Sequence, residues 1–99
     1  MNDLLKLILR IEIRPGLWIG NTDIDCLGHF LSGYCTAKSE NEEGYGVWLF
    51  QDFTRYLAKK YEDTRTFNWV GLIRENEIDG KSTDAFFRLL HEYLENHTV

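Results

Sequence analysis

The chain has 99 residues, 43% of them apolar and 14% aromatic, and its 11 basic against 16 acidic residues leave a net charge of −5. This length fits one domain, 1–99, and the three Trp, five Tyr and six Phe supply bulk for a core. The acidic balance argues against direct binding of nucleic acid, which calls for a basic patch, and favours basic partners instead.

In chain order, Leu4, Leu5, Ile8, Leu9 and Ile11 form an apolar face at helical spacing, and this first helix must end at Pro15. Met1 to Ile13 is too short and too charged for a signal peptide or a membrane span. Pro15-Gly16 reads as a type II turn, with Leu17, Trp18 and Ile19 as a short, extended apolar plug over 17–19. Thr22, with Asp25 three residues on, reads as the cap of a second helix whose stripe is Ile24, Leu27, Phe30, Leu31 and Tyr34. Gly28 and Gly33 lie in that helix and call for close approach of another element, such as Trp18. Residues 38–46 are polar, acidic and glycine-punctuated, and read as the longest loop. The clearest helix is 47–61, with Leu49, Phe50, Phe53, Tyr56, Leu57 and Tyr61 on one face and Lys59-Lys60 at its C-terminal end. The 66–74 stretch spaces Phe67, Val70 and Ile73 as a short helix, while its β-branched and aromatic content leaves a strand open. A last helix spans 82–97, with Ser82 as its cap and Phe86, Leu89, Leu90, Tyr93 and Leu94 buried. The expectation is an all-α domain of about five packed helices.

Arg14-Pro15-Gly16-Leu17-Trp18-Ile19-Gly20 carries the pattern R-P-G-x-[aromatic]-I-G, followed by an amphipathic segment. In this it resembles a family of small bacterial immunity proteins of contact-dependent growth inhibition and related polymorphic-toxin systems. The ATPase domain of DNA gyrase holds a nearly identical segment. That domain, however, needs a much longer chain and a D-x-G-x-G loop, whereas here Asp79-Gly80 runs into Lys81-Ser82. The immunity-protein resemblance implies a cytoplasmic protein, without cofactor or catalytic residue, that neutralises the C-terminal domain of a cognate toxin by stoichiometric binding. A nuclease toxin matches the charge, since nucleases carry basic clefts.

The remaining chemistry is sparse. Cys26 and His29 share a helix face, but a zinc site needs about three or four ligands, and His91 and His97 belong to another helix. Cys26 and Cys35, nine residues apart on one predicted helix, stand roughly 13 Å apart on opposite faces, beyond disulfide reach. Two free thiols fit a reducing cytoplasm. No nucleophile, base and oxyanion set is legible. Two acidic clusters are the candidate partner-binding surfaces: Glu40, Glu42 and Glu43, and Glu75, Glu77 and Asp79. Tyr45 and Trp48, beside the first, are candidate aromatic anchors, with a core position the equal alternative for each. No contact with a membrane is expected, and a homodimer is compatible with the chain. The competing functional expectation is a small adaptor or regulatory domain for another cellular protein, with a small enzyme third.

Overall fold

The computed structural model describes residues 2–19, 23–77 and 82–97. Among them the fold is all-α, with no strand, as the periodicity predicts. The chain divides into two units, Met1–Val47 and Trp48–Val99.

In the first unit, α1 (Asn2–Ile13) buries Leu4, Leu7, Ile8 and Ile11, a stripe at the helical period. Asp3 in its first turn and Arg10 in its last suit the helix dipole. The helix stops before Pro15 because the proline ring disfavours α backbone at Arg14. The chain then re-enters a helix at once, which corrects the predicted turn and extended plug. Pro15 opens α2 (Pro15–Ile19), where its missing N–H would be unpaired anyway. Among the described residues the glycines with positive φ are Gly44 and Gly46, so Gly16 forms no type II turn. Leu17 is 75% exposed rather than packed. Trp18 is half-buried, and the Arg10 guanidinium lies 5.1 Å above its ring.

The predicted Thr22 cap lies outside the described residues. Asp23 caps α3 (Ile24–Ser39), its Oδ1 accepting the Asp25 N–H at 2.7 Å. This helix buries Ile24, Leu27, Leu31 and Cys35. Gly28 is buried too, but Gly33 is exposed and a Cβ there would meet open space, so no close approach accounts for it.

In the second unit, the predicted 47–61 helix is a composite. Trp48–Phe53 is π-helical and runs straight into α4 (Thr54–Tyr61), with Leu49, Phe53 and Leu57 buried four residues apart. Glu62 ends α4 in the left-handed region at φ 51°, donating its N–H to the Ala58 and Lys59 carbonyls. The 66–74 ambiguity resolves as a helix, α5 (Trp69–Asn76), which buries Trp69, Leu72 and Ile73. Finally, α6 (Ser82–His97) buries Phe86, Phe87, Leu89, Leu90 and Tyr93. Phe86 centres an aromatic cluster, with Trp69 at 4.6 Å, Phe87 at 5.1 Å and Phe53 at 5.9 Å between ring centroids. The Ser82 and His97 side chains lie outside the description.

Candidate functional site

The first acidic cluster sits on a tight, hydrogen-bonded turn that closes the first unit. Near the end of α3 the Lys38 carbonyl accepts the N–H groups of Asn41 at 3.1 Å and Glu42 at 3.0 Å. Tyr45 N–H then donates to the Glu42 carbonyl and Val47 N–H to the Gly44 carbonyl, each at 3.1 Å. Gly44 (φ 79°) and Gly46 (φ 80°) take the left-handed backbone this path requires. Gly46 has a second reason to be glycine. A Cβ there would stand 2.6 Å from Cys35 Sγ and 3.7 Å from Leu4 Cδ2, so the turn lies directly on α3 and the start of α1.

This packing presents Glu40, Glu42 and Glu43 to solvent, and among the described residues none of the three has an ion-pair partner. Tyr45 buttresses the turn from within. Its ring meets Tyr34 edge-on at 6.0 Å, and the Lys38 ammonium lies 5.8 Å from its centroid. The Tyr45 hydroxyl is closed off from solvent without a hydrogen bond of ordinary geometry. Burial first, and the neighbouring Tyr34 next, push its pKa well above the ordinary 10.0. Trp48, in the second unit, is half-buried, and its indole N–H is enclosed with no hydrogen-bond partner among the described residues. Val47 is 40% exposed.

The second cluster is built differently. Glu77 pairs with Arg88 at 3.1 Å and accepts the Tyr61 hydroxyl at 2.7 Å. Burial, followed by the Glu77 carboxylate, raises the Tyr61 pKa and keeps that phenol a donor. Glu75 has Arg65 at 3.7 Å and Arg74 at 3.6 Å. Arg65 also grips Asp63, Nη2 to Oδ2 at 2.7 Å, with Asn76 Nδ2 on the same oxygen at 3.0 Å. Those bonds, Arg65 foremost, hold the Asp63 carboxyl well below its ordinary range, and its side chain is only 5% exposed. Cations of the same unit therefore neutralise Glu75 and Glu77, and Asp79 lies outside the described residues. The sequence alone could not separate the two clusters, because their partners Arg65, Tyr61 and Arg88 are remote in the chain.

Sequence reasoning missed a shallow depression of about 550 Å³ lined by Asp52, Arg55, Tyr56, Lys59 and Lys60. Its charges are largely paired. Arg55 meets Asp52 at 3.2 Å, and Glu92 takes both Lys60, at 3.1 Å, and the Tyr56 hydroxyl. The Tyr56 and Lys60 bonds, in that order, lower the Glu92 pKa. The only signal in the sequence was the Lys59-Lys60 pair.

Cys35 is buried, and burial raises its pKa, so it holds a neutral thiol. Cys26 is half-buried, while His29 and His91 are exposed. Among the described residues no three His, Cys, Asp or Glu side chains converge as a metal site would need. No helix among them is long and apolar enough to cross a membrane. No protein-family model, characterised protein or solved structure shows significant similarity to this chain.

Proposed function

We propose that this is a stoichiometric binding protein, an immunity protein whose Glu40–Glu42–Glu43 turn engages a basic cognate toxin domain. One observation carries the reading. Three exposed carboxylates without ion-pair partners stand on a turn held by two left-handed glycines and an aromatic buttress. Fixed, uncompensated charge of one sign steers an oppositely charged partner and sets its register. The resemblance of residues 14–20 to immunity proteins points to a toxin domain as that partner, and a nuclease cleft has the complementary charge.

The test is co-expression with the C-terminal domain of a large secreted protein encoded beside the gene. Rescue of growth and a one-to-one complex are expected, with an on-rate that falls as salt screens charges beyond about 8 Å at physiological ionic strength. Reversing all three carboxylates with Glu40→Lys, Glu42→Lys and Glu43→Lys should weaken the complex and leave the fold intact, because exposed loop charges contribute little to stability. Protection at strongly sub-stoichiometric dose would instead indicate turnover and reject a binding-only role.

A further inference from the structure

The depression on α4 belongs to the second unit and shares no residue with the acidic turn. Helix geometry builds it. Arg55 and Lys59 stand four residues apart, one turn of α4, and Tyr56 and Lys60 stand four apart on the adjoining row. Five residues at 1.5 Å each put the three cations within about 8 Å of one another along the helix axis. In a chain of net charge −5, residues 52–60 reverse the sign, with Arg55, Lys59 and Lys60 against Asp52 alone. The helix dipole accounts for only part of this. It supplies roughly half a negative charge confined to the last turn, and Arg55 lies outside that turn, since α4 ends at Tyr61.

The three cations are not equally committed. Glu92 holds Lys60 at 3.1 Å and also accepts the Tyr56 hydroxyl, while Tyr93 meets the Tyr56 ring edge-on at 5.4 Å. Lys60 and the Tyr56 ring are thereby fixed as one wall of the depression. Arg55 pairs with Asp52, but those side chains are 73% and 53% exposed, and a surface pair of that kind is worth little. Lys59 is exposed and has no ion-pair partner among the described residues. Arg55 and Lys59, one turn apart, can therefore turn to a ligand at small cost. The volume of about 550 Å³ falls within the roughly 300–1,000 Å³ usual for small-molecule sites.

The chemistry narrows the ligand. A carboxylate would replace Asp52 on Arg55 with a group of the same kind, for little gain. A phosphate monoester carries close to two negative charges at neutral pH and three acceptor oxygens. It can engage the planar Arg55 fork and the Lys59 ammonium together. We propose that this depression binds a small phosphate monoester, its phosphoryl group between Arg55 and Lys59 and its organic part along the Tyr56 ring. The site is independent of the toxin reading, because its test needs only this protein and a small molecule.

Phenyl phosphate is the probe, titrated into the full chain at low salt and followed by amide and side-chain NMR shifts. Saturable shifts centred on residues 52–60 are expected, with inorganic phosphate and benzoate both binding more weakly. Arg55→Ala and Lys59→Glu should each weaken phenyl phosphate at least about tenfold with unchanged circular dichroism, as loss of a charge-assisted contact does. Asp52→Asn should tighten it by about twofold to fivefold, the worth of the one exposed ion pair that competes for Arg55. A merely structural role for these residues would give no such gain. Shifts that do not saturate, shifts centred elsewhere, indifference to Lys59→Glu, or weaker binding by Asp52→Asn would each overturn the proposal. So would benzoate or inorganic phosphate binding as tightly as phenyl phosphate, since the dianion or the organic part would then not be recognised.

Discussion

Gly46 and Gly44 share a backbone conformation but not an environment, and the difference separates two costs that usually arrive together. Both have φ near 80°, so alanine at either pays the penalty of a left-handed L-residue, about 1–2 kcal/mol. A Cβ at Gly44 would meet only Val47 Cγ2, at 3.9 Å, whereas one at Gly46 would stand 2.6 Å from Cys35 Sγ and 3.1 Å from Cys35 Cβ. Gly46→Ala should therefore cost about 1–3 kcal/mol more than Gly44→Ala in chemical denaturation, the usual range for overpacking a core. Adding Cys35→Ala should recover part of that excess, and strictly additive costs would show that the two side chains do not collide. Trp18 is a second residue-scale case. Half-buried beneath Arg10, Trp18→Ala should cost about 2 kcal/mol, short of the 3–5 of a buried aromatic.

At the scale of elements, the apolar periodicity identified every long helix, because burial on one face is what that periodicity records. Three things escaped it. Proline reads as a stop, yet at the first position of a new helix it is a start, so 15–19 became α2 instead of a turn. A π-helical turn keeps Leu49 and Phe53 on the buried side, as an α-turn does, so 48–53 could not be told apart by spacing. Asn68, the cap that commits 69–76 to a helix, was passed over among the β-branched and aromatic residues that left a strand open. Its Oδ1 accepts from the Val70 N–H at 3.0 Å and the Gly71 N–H at 3.4 Å. Thr54 completes the set, accepting the Trp69 N–H at 3.1 Å and donating to the Leu49 carbonyl at 3.4 Å inside the π-helical segment. Thr54→Val keeps the shape but strands a donor and an acceptor, both part-buried, and should cost about 1–3 kcal/mol. Asn68→Ala should cost about 1 kcal/mol as a lost helix cap. The candidate site shows the same boundary. Its carboxylates were visible in the sequence, but which of them are neutralised depended on contacts such as Glu77 with Arg88, eleven residues away.

For the molecule as a whole, the shifted groups set opposite limits on pH. Asp63 and Glu92 have pKa values lowered from 3.8 and 4.5, by Arg65 and by Tyr56 respectively as the leading causes. The folded chain then binds fewer protons than the unfolded one in acid. Their contribution is complete above those ordinary values and is lost as pH falls through the lowered ones. Asp63→Asn should flatten the acid limb of a stability–pH curve, and an unchanged limb would mean that Arg65 does not hold that carboxylate. On the alkaline side, Tyr45, Tyr56, Tyr61 and Tyr93 all have pKa values raised above 10.0, burial being the first cause in each. Unfolded phenols ionise near pH 10 while these four keep their protons, so unfolding releases protons there. Their contribution is full below the ordinary value and disappears as pH rises through the raised one. Tyrosinate absorbance at 295 nm should therefore titrate later in the native protein than in the denaturant-unfolded chain. The native curve should steepen only where circular dichroism reports loss of helix. Coincident native and unfolded curves would mean that the tyrosines are solvated, and the aromatic packing described for both units would have to be redrawn.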